Sequence, residues 1–276
     1  MQTRLSPGQT QYPTLTTDQL RAAFLVESLF PPGRVELVYT DNDRAIVGSA
    51  VPTSSPLELT ADAELRAACF CERRELGILN IGGSGVVAVD GQQFEMAKLD
   101  CLYVGRGSQN VSFTSSDPAN PAVFYLLSYP AHAAYPTRLA HVADATKAEL
   151  GTAAEANRRT IHKYIHTGGI KSCQLVMGFT QLQEGSVWNT MPPHTHTRRS
   201  EVYMYFDLGP KRRVMHFMGS PQQTRHLIMA DRQVVVSPSW SIHAACGTGG
   251  YSFCWGMGGE NQTFEDMDPA PLEALR

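Results

Sequence analysis

The chain has no run of about 18 apolar residues, the length that a membrane-spanning helix requires, so no membrane partner is expected. Its opening stretch, Met1-Gln2-Thr3-Arg4-Leu5-Ser6-Pro7, lacks the apolar centre of a secretory signal, which points to a cytoplasmic protein. An excess of one charge is missing too. With 23 basic and 26 acidic residues the formal net charge is −3, and nothing draws the chain to nucleic acid. The 6 cysteines (Cys69, Cys71, Cys101, Cys173, Cys246 and Cys254) include no C-x-x-C pair and no small-scaffold spacing. They read as buried free thiols in a reducing compartment, Cys246 included despite its closeness in sequence to His243.

What is present is an ordinary globular composition, with 42% hydrophobic and 18% charged residues over 276 positions, enough for one large domain or two modest ones. Thr16 and Gln19 form a capping box, Leu15 and Leu20 a hydrophobic staple, and Phe24 continues the apolar face, so a short helix opens the chain. After Pro31-Pro32-Gly33 the sequence reads as short strands punctuated by Gly, Pro, Asn and Asp. One strand cluster spans about residues 69–129 and a second about 173–257. The expected organisation is an N-terminal barrel over 1–135 preceded by the helix, a linker with some helix over 136–169, and a second barrel over 170–276. The tail Asp266–Arg276 is expected to pack across the barrels or a neighbouring subunit. Gly82-Gly83-Ser84-Gly85 leads into a strand rather than a helix, which favours turn glycines over a phosphate cradle.

The densest chemistry lies in His194-Thr195-His196-Thr197-Arg198-Arg199-Ser200-Glu201, answered by Pro238-Ser239-Trp240-Ser241-Ile242-His243. Residues two apart on a strand share a face, so His194 and His196 can converge on one ion. Glu201, five positions on, calls for a bend or bulge, and His243 arrives from another strand. Three imidazoles and a carboxylate suit a divalent transition metal with positions left open for a substrate. The two segments resemble the paired motifs of cupins, with Trp240 and Trp188 standing where those motifs usually carry glycine. The strand content and this ligand spacing together favour a mainly β bicupin, two jelly-roll barrels with a few short helices. The first cluster has no His-x-His, so its barrel is expected to hold no metal.

Further blocks resemble one cupin family, the 5-keto-4-deoxyuronate isomerases. They are Glu72-Arg73-Arg74-Glu75-Leu76-Gly77, Asn80-Ile81-Gly82-Gly83, Asn157-Arg158-Arg159-Thr160-Ile161, Trp188-Asn189-Thr190-Met191-Pro192, Pro221-Gln222-Gln223-Thr224-Arg225-His226 and Trp255-Gly256-Met257 with Gly259-Glu260-Asn261-Gln262. They run in order through almost the whole chain. The resemblance implies a zinc-dependent ketol-isomerase of pectin and uronate breakdown, with one Zn2+ per chain on His194, His196, Glu201 and His243. It implies a hexamer, and conversion of 5-dehydro-4-deoxy-D-glucuronate to 3-deoxy-D-glycero-2,5-hexodiulosonate.

Moving a carbonyl between C1 and C2 requires removal of a carbon-bound proton and stabilisation of an enediolate, for which a bound divalent ion is a suitable Lewis acid. If the strand after the ligand loop is regular, Glu201, Tyr203 and Tyr205 share a face, making Tyr203 a proton-transfer candidate beside its alternative as a core aromatic. His226 is a second candidate acid or base, and His216 reads as core. The anionic sugar acid needs a cation, preferably a bidentate arginine. Arg158, Arg159, Arg198, Arg199 and Arg225 are the candidates, with Lys163 beside them, although each alone reads more readily as a solvated or interfacial charge. Two rival functions remain. One is a cupin oxygenase holding iron or copper in the same ligands; the other is a non-catalytic carbohydrate-binding bicupin.

Overall fold

A computed structural model describes all residues from Met1 to Arg276. Strands dominate, and the single α-helix is Thr17–Phe24. Its capping box forms as the sequence requires: Thr16 N–H donates to Gln19 Oε1 at 2.9 Å, and Gln19 N–H donates to Thr16 Oγ1 at 3.3 Å. No helix is long and apolar enough to cross a membrane.

The chain divides into two compact units, each built from a seven-stranded and a four-stranded sheet. In the first unit the larger sheet runs, in spatial order, through Gln2–Arg4, Val35–Thr40, Ile46–Ala50, Phe124–Pro130, Arg74–Asn80, Cys101–Val104 and Arg138–Ala140. Its smaller sheet is Leu57–Glu58, Val111–Ser115, Gly85–Val89 and Gln92–Met96. The alternation of Gly85–Val89, with Val87 and Val89 buried, faces one side of that sheet to a core that includes Leu76, Ile78, Phe113 and Phe124. In the second unit the larger sheet runs through Thr146–Leu150, Arg159–Ile165, Val176–Leu182, Ser252–Gly259, Arg199–Phe206, Val234–Ser237 and Leu25–Val26. The smaller one is Trp188–Asn189, Ile242–Gly247, Val214–Ser220 and Gln223–Met229. This repeated two-sheet plan is the bicupin jelly roll.

Two boundaries differ from the sequence expectation. The opening helix belongs to the second unit, because Leu25 and Val26 pair with Val235 and Val234. Residues 136–169 are not a partly helical linker. They supply three strands, Arg138–Ala140, Thr146–Leu150 and Arg159–Ile165, with one 3-10 turn between. The last of these hides its strand period because Arg159, Ile161 and Lys163 alternate with the buried Thr160, His162 and Tyr164. A strand with cationic residues on one face reads as polar and irregular.

The two tryptophans that replace motif glycines are packing residues. Trp240 meets Tyr12 at 5.2 Å and Phe24 at 6.5 Å between ring centroids, so it joins the opening helix to its unit. Trp188 stacks on Phe217 at 6.1 Å.

Candidate metal centre

His194 and Thr195 form a two-residue strand paired with Asp268 and Pro269, which places the tail against the ligand segment within the second unit. The expected bend before Glu201 is a turn, closed by Arg199 N–H donating to the His196 carbonyl at 3.1 Å. Glu201 is the third residue of the buried strand Arg199–Phe206 and pairs in register with Met257 and Ser237. His243 lies on Ile242–Gly247, opposite Met218.

These four side chains converge. Glu201 Oε2 lies 2.8 Å from His196 Nε2 and 2.8 Å from His243 Nε2. His194 Nε2 lies 3.1 Å from His196 Nε2 and 2.9 Å from His243 Nε2. The remote nitrogen of His196 shows what this means. Its Nδ1 sits 2.7 Å from the Asp266 carbonyl, a contact that needs an N–H donor. Arg199 Nη2 is 3.2 Å from the same Nδ1, but its own 2.6 Å bond to the Asp266 carbonyl is the better use of that donor. A proton on Nδ1 leaves Nε2 a lone pair, aimed at a carboxylate and at other imidazole nitrogens. Lone pairs gathered without enough protons between them fit a cation, and the Nδ1 contact is the outer hydrogen bond typical of a ligating histidine. The group can hold a metal ion.

The electrostatics agree. Burial opposes charge on Glu201, but the attraction of His243 first, and the close approach of the His196 and His243 imidazoles, outweigh it and hold the carboxyl well below the usual range. His194 is pushed down to about 3, by burial first and then by His243, so it is a neutral ligand near neutral pH.

A cavity of about 250 Å³ opens beside the cluster, lined among others by His194, Glu201, Tyr203, Thr190, Arg159 and Trp255. Tyr203 and Trp255 are cross-strand partners, and Glu201, Tyr203 and Tyr205 alternate along one strand face as expected. The Tyr203 ring lies 5.4 Å from that of His243, and its hydroxyl lies 3.1 Å from Thr190 Oγ1. Burial, then the negative Glu201, raise this phenol well above its ordinary value, so it is a neutral donor. Tyr205 bonds His216 Nδ1 at 2.7 Å, both fully buried. Gly178 is required here because a Cβ on it would strike the Trp255 ring at 2.5 Å.

Of the six cationic candidates, Arg159 alone lines the cavity. Its Nη1 donates to the Asn157 carbonyl at 2.8 Å, and burial lowers its pKa. Lys163 shares its strand face, with Nζ 4.8 Å above the ring of Phe264, itself a cavity residue. The others are placed elsewhere. Arg158 is exposed. Arg198 is committed to Asp266 at 2.5 Å and Asp268 at 2.9 Å. Arg199 is buried, donating to the Thr263 and Asp266 carbonyls, and Arg225 donates to the Leu15 carbonyl. His226 is exposed and pairs with Phe217, whereas His243 pairs with the next residue, Met218, so the two histidines lie on opposite sheet faces. It is no part of this centre. Sequence reasoning missed Asp266, whose carbonyl holds His196 from 70 positions away with no local signal.

The model of the KduI/IolB family matches residues 24–272. The chain belongs to the KduI/IolB family. A relative from Shouchella clausii, named 4-deoxy-L-threo-5-hexosulose-uronate ketol-isomerase, is 51% identical over 276 residues and covers 100% of both chains. The family member described here is accordingly an enzyme of the isomerase class. Among solved structures, an IolB-like protein from Salmonella typhimurium matches with a TM-score of 0.71 at 13% identity, covering 87% of this chain and 94% of that one. The oxalate decarboxylase of Bacillus subtilis, which has Mn(II) centres, matches with a TM-score of 0.59 at 11% identity over 89% of this chain and 76% of that one. At such identities these two show a shared fold.

Proposed function

We propose that the chain is a zinc-dependent ketol-isomerase that converts 5-dehydro-4-deoxy-D-glucuronate to 3-deoxy-D-glycero-2,5-hexodiulosonate in uronate breakdown, working in the cytoplasm as a homo-oligomer, a hexamer by family resemblance. The observation that carries this reading is one cavity that joins three converging histidines and a carboxylate to a neutral phenol and an arginine. The full-length likeness to a named ketol-isomerase supports the same substrate.

His194, His196, Glu201 and His243 would hold the ion. When bound, it supplies Lewis acidity toward the oxygens of the carbonyl and its neighbouring hydroxyl. The protein's own groups do the rest. Arg159 offers its fork to the substrate carboxylate, and its partial desolvation strengthens that contact. Tyr203, protonated and steadied by Thr190, donates a hydrogen bond to the substrate oxygen that carries the negative charge of the enediolate. Phe253, Trp255, Met257 and Phe264 line the cavity with apolar surface and keep water from the carbanionic carbon.

The test is turnover of the unsaturated-uronate product by purified protein, followed by NMR and oxygen uptake before and after chelation. Metal-dependent formation of the 2,5-diketo acid without oxygen consumption is expected, restored by zinc. Oxygen consumption restored by iron or copper would replace this reading with an oxygenase, and no conversion by zinc-loaded protein would remove the substrate assignment.

A further inference from the structure

The Glu72-Arg73-Arg74-Glu75 block takes no part in the metal-centred cavity. Both of its arginines line a separate cavity of about 630 Å³ within the first unit, together with Arg44, Arg106, Phe70 and His132. No carboxylate residue lines it.

Arg74 is 7% exposed, yet its hydrogen bonds all go to neutral oxygens. Nε donates to Ser128 Oγ at 3.0 Å, and Nη2 donates to the carbonyls of Ser128 at 2.9 Å and Arg44 at 2.6 Å. Buried charges are ordinarily balanced by an opposite one, because an uncompensated charge out of water is costly. The adjacent Glu75 does not fill that role. Its carboxylate is spent on the N–H groups of Cys173, Gln174 and Leu175 and on the Tyr103 hydroxyl. Arg73 Nη2 donates to the carbonyls of Leu65 and Arg66, both at 2.6 Å, and Arg106 Nε to that of Glu72 at 3.3 Å. A second acid, Glu72, lies 3.8 Å from Arg73 Nη1 and accepts from Ala68 N–H. Backbone carbonyls therefore aim several guanidinium groups around one space and leave their other N–H groups available. Guanidinium forks match oxyanions bidentately.

We propose that this cavity of the first unit is a binding site for a small metabolite oxyanion, a phosphate or a carboxylate. Arg74 is its most buried cationic contact, Arg73 and Arg106 contribute the outer charges, and Phe70 offers apolar surface to the carbon body of the ligand.

The full-length protein is titrated separately with inorganic phosphate and with D-galacturonate at constant ionic strength, with binding read by calorimetry and by the shift in Tm. The expected result is saturable binding that weakens by about tenfold or more in the Arg73→Ala/Arg106→Ala double variant, while its metal content and basal turnover stay those of the parent. Arg74→Lys keeps the charge but not the fork, and weakens binding in the same direction. Arginine-dependent binding that favours phosphate assigns a phosphorylated ligand; the reverse order assigns a free acid. The proposal is overturned if neither anion binds saturably, or if the double variant binds as tightly as the parent. It is equally overturned if the variant breaks up the oligomer while the parent binds neither anion, since acids of a second copy would then balance these arginines.

Discussion

Replacing Tyr203 with phenylalanine removes one oxygen from the cavity and leaves the ring where it packs, 4.7 Å from Phe253 between centroids. Two costs follow, of different size. The lost hydrogen bond to Thr190 is worth about 0.5–1.5 kcal/mol of stability, toward the lower end because the half-buried Thr190 can bond water instead. If the phenol donates to the substrate oxygen during proton removal, kcat falls by about 10²–10⁴-fold, or roughly 2.7–5.4 kcal/mol of barrier. KM changes little, because the interaction strengthens only as charge develops. The assay is steady-state turnover at matched metal content, alongside urea unfolding. A kcat within about threefold of the parent, with the small stability loss intact, would refute the reasoning and leave Tyr203 as a packing residue. Tyr205→Phe is the control. Its hydroxyl bonds the buried His216, so the variant loses stability with little loss of rate.

Arg159→Leu is expected to raise KM for the uronate by about 10-fold or more, the value of one charge-assisted hydrogen bond, with Arg159→Lys falling between; an unchanged KM would assign the carboxylate to another cation. Glu75→Ala should cost about 3–5 kcal/mol in urea unfolding, because three backbone N–H groups and a tyrosine hydroxyl lose their acceptor together, and a cost under about 1 kcal/mol would contradict that network. His141 Nδ1 lies 2.9 Å from Asp100 Oδ2, and that hydrogen bond raises the imidazole pKa. Since the folded pKa is the higher one, its stabilisation is complete below the unfolded value of about 6.5 and is lost as the pH rises through the folded value. The effect is small for so exposed a side chain, and His141→Gln should remove that slope from the stability profile.

The cluster of His194, His196, Glu201 and His243 was legible because these residues sit in two short segments whose chemistry and spacing are local. The helix start was legible for the same reason, since its capping box closes within four residues. Helix membership was not, because it depends on Leu25 and Val26 pairing some 200 positions away. The cationic candidates divide along the same line. Their types and proximity to ligands look alike in sequence, and only distant partners separate them: Asp266 and Asp268 occupy Arg198, Thr263 and Asp266 occupy Arg199, and Leu15 occupies Arg225. Arg159 was among the candidates, but the strand that aims it was not legible, because that stretch's period is masked by its own cationic face.

The pairing of His194–Thr195 with Asp268–Pro269, and the grip of the Asp266 carbonyl on His196, also set an order of events during synthesis. All four ligands have been made once residue 243 is added, yet two of them have no seat until the chain has grown past residue 269. The donor set is therefore complete in residue type by residue 243 but complete in shape only with the tail. The nitrogens of His194 and His196 gain a fixed direction only when the tail closes over their segment.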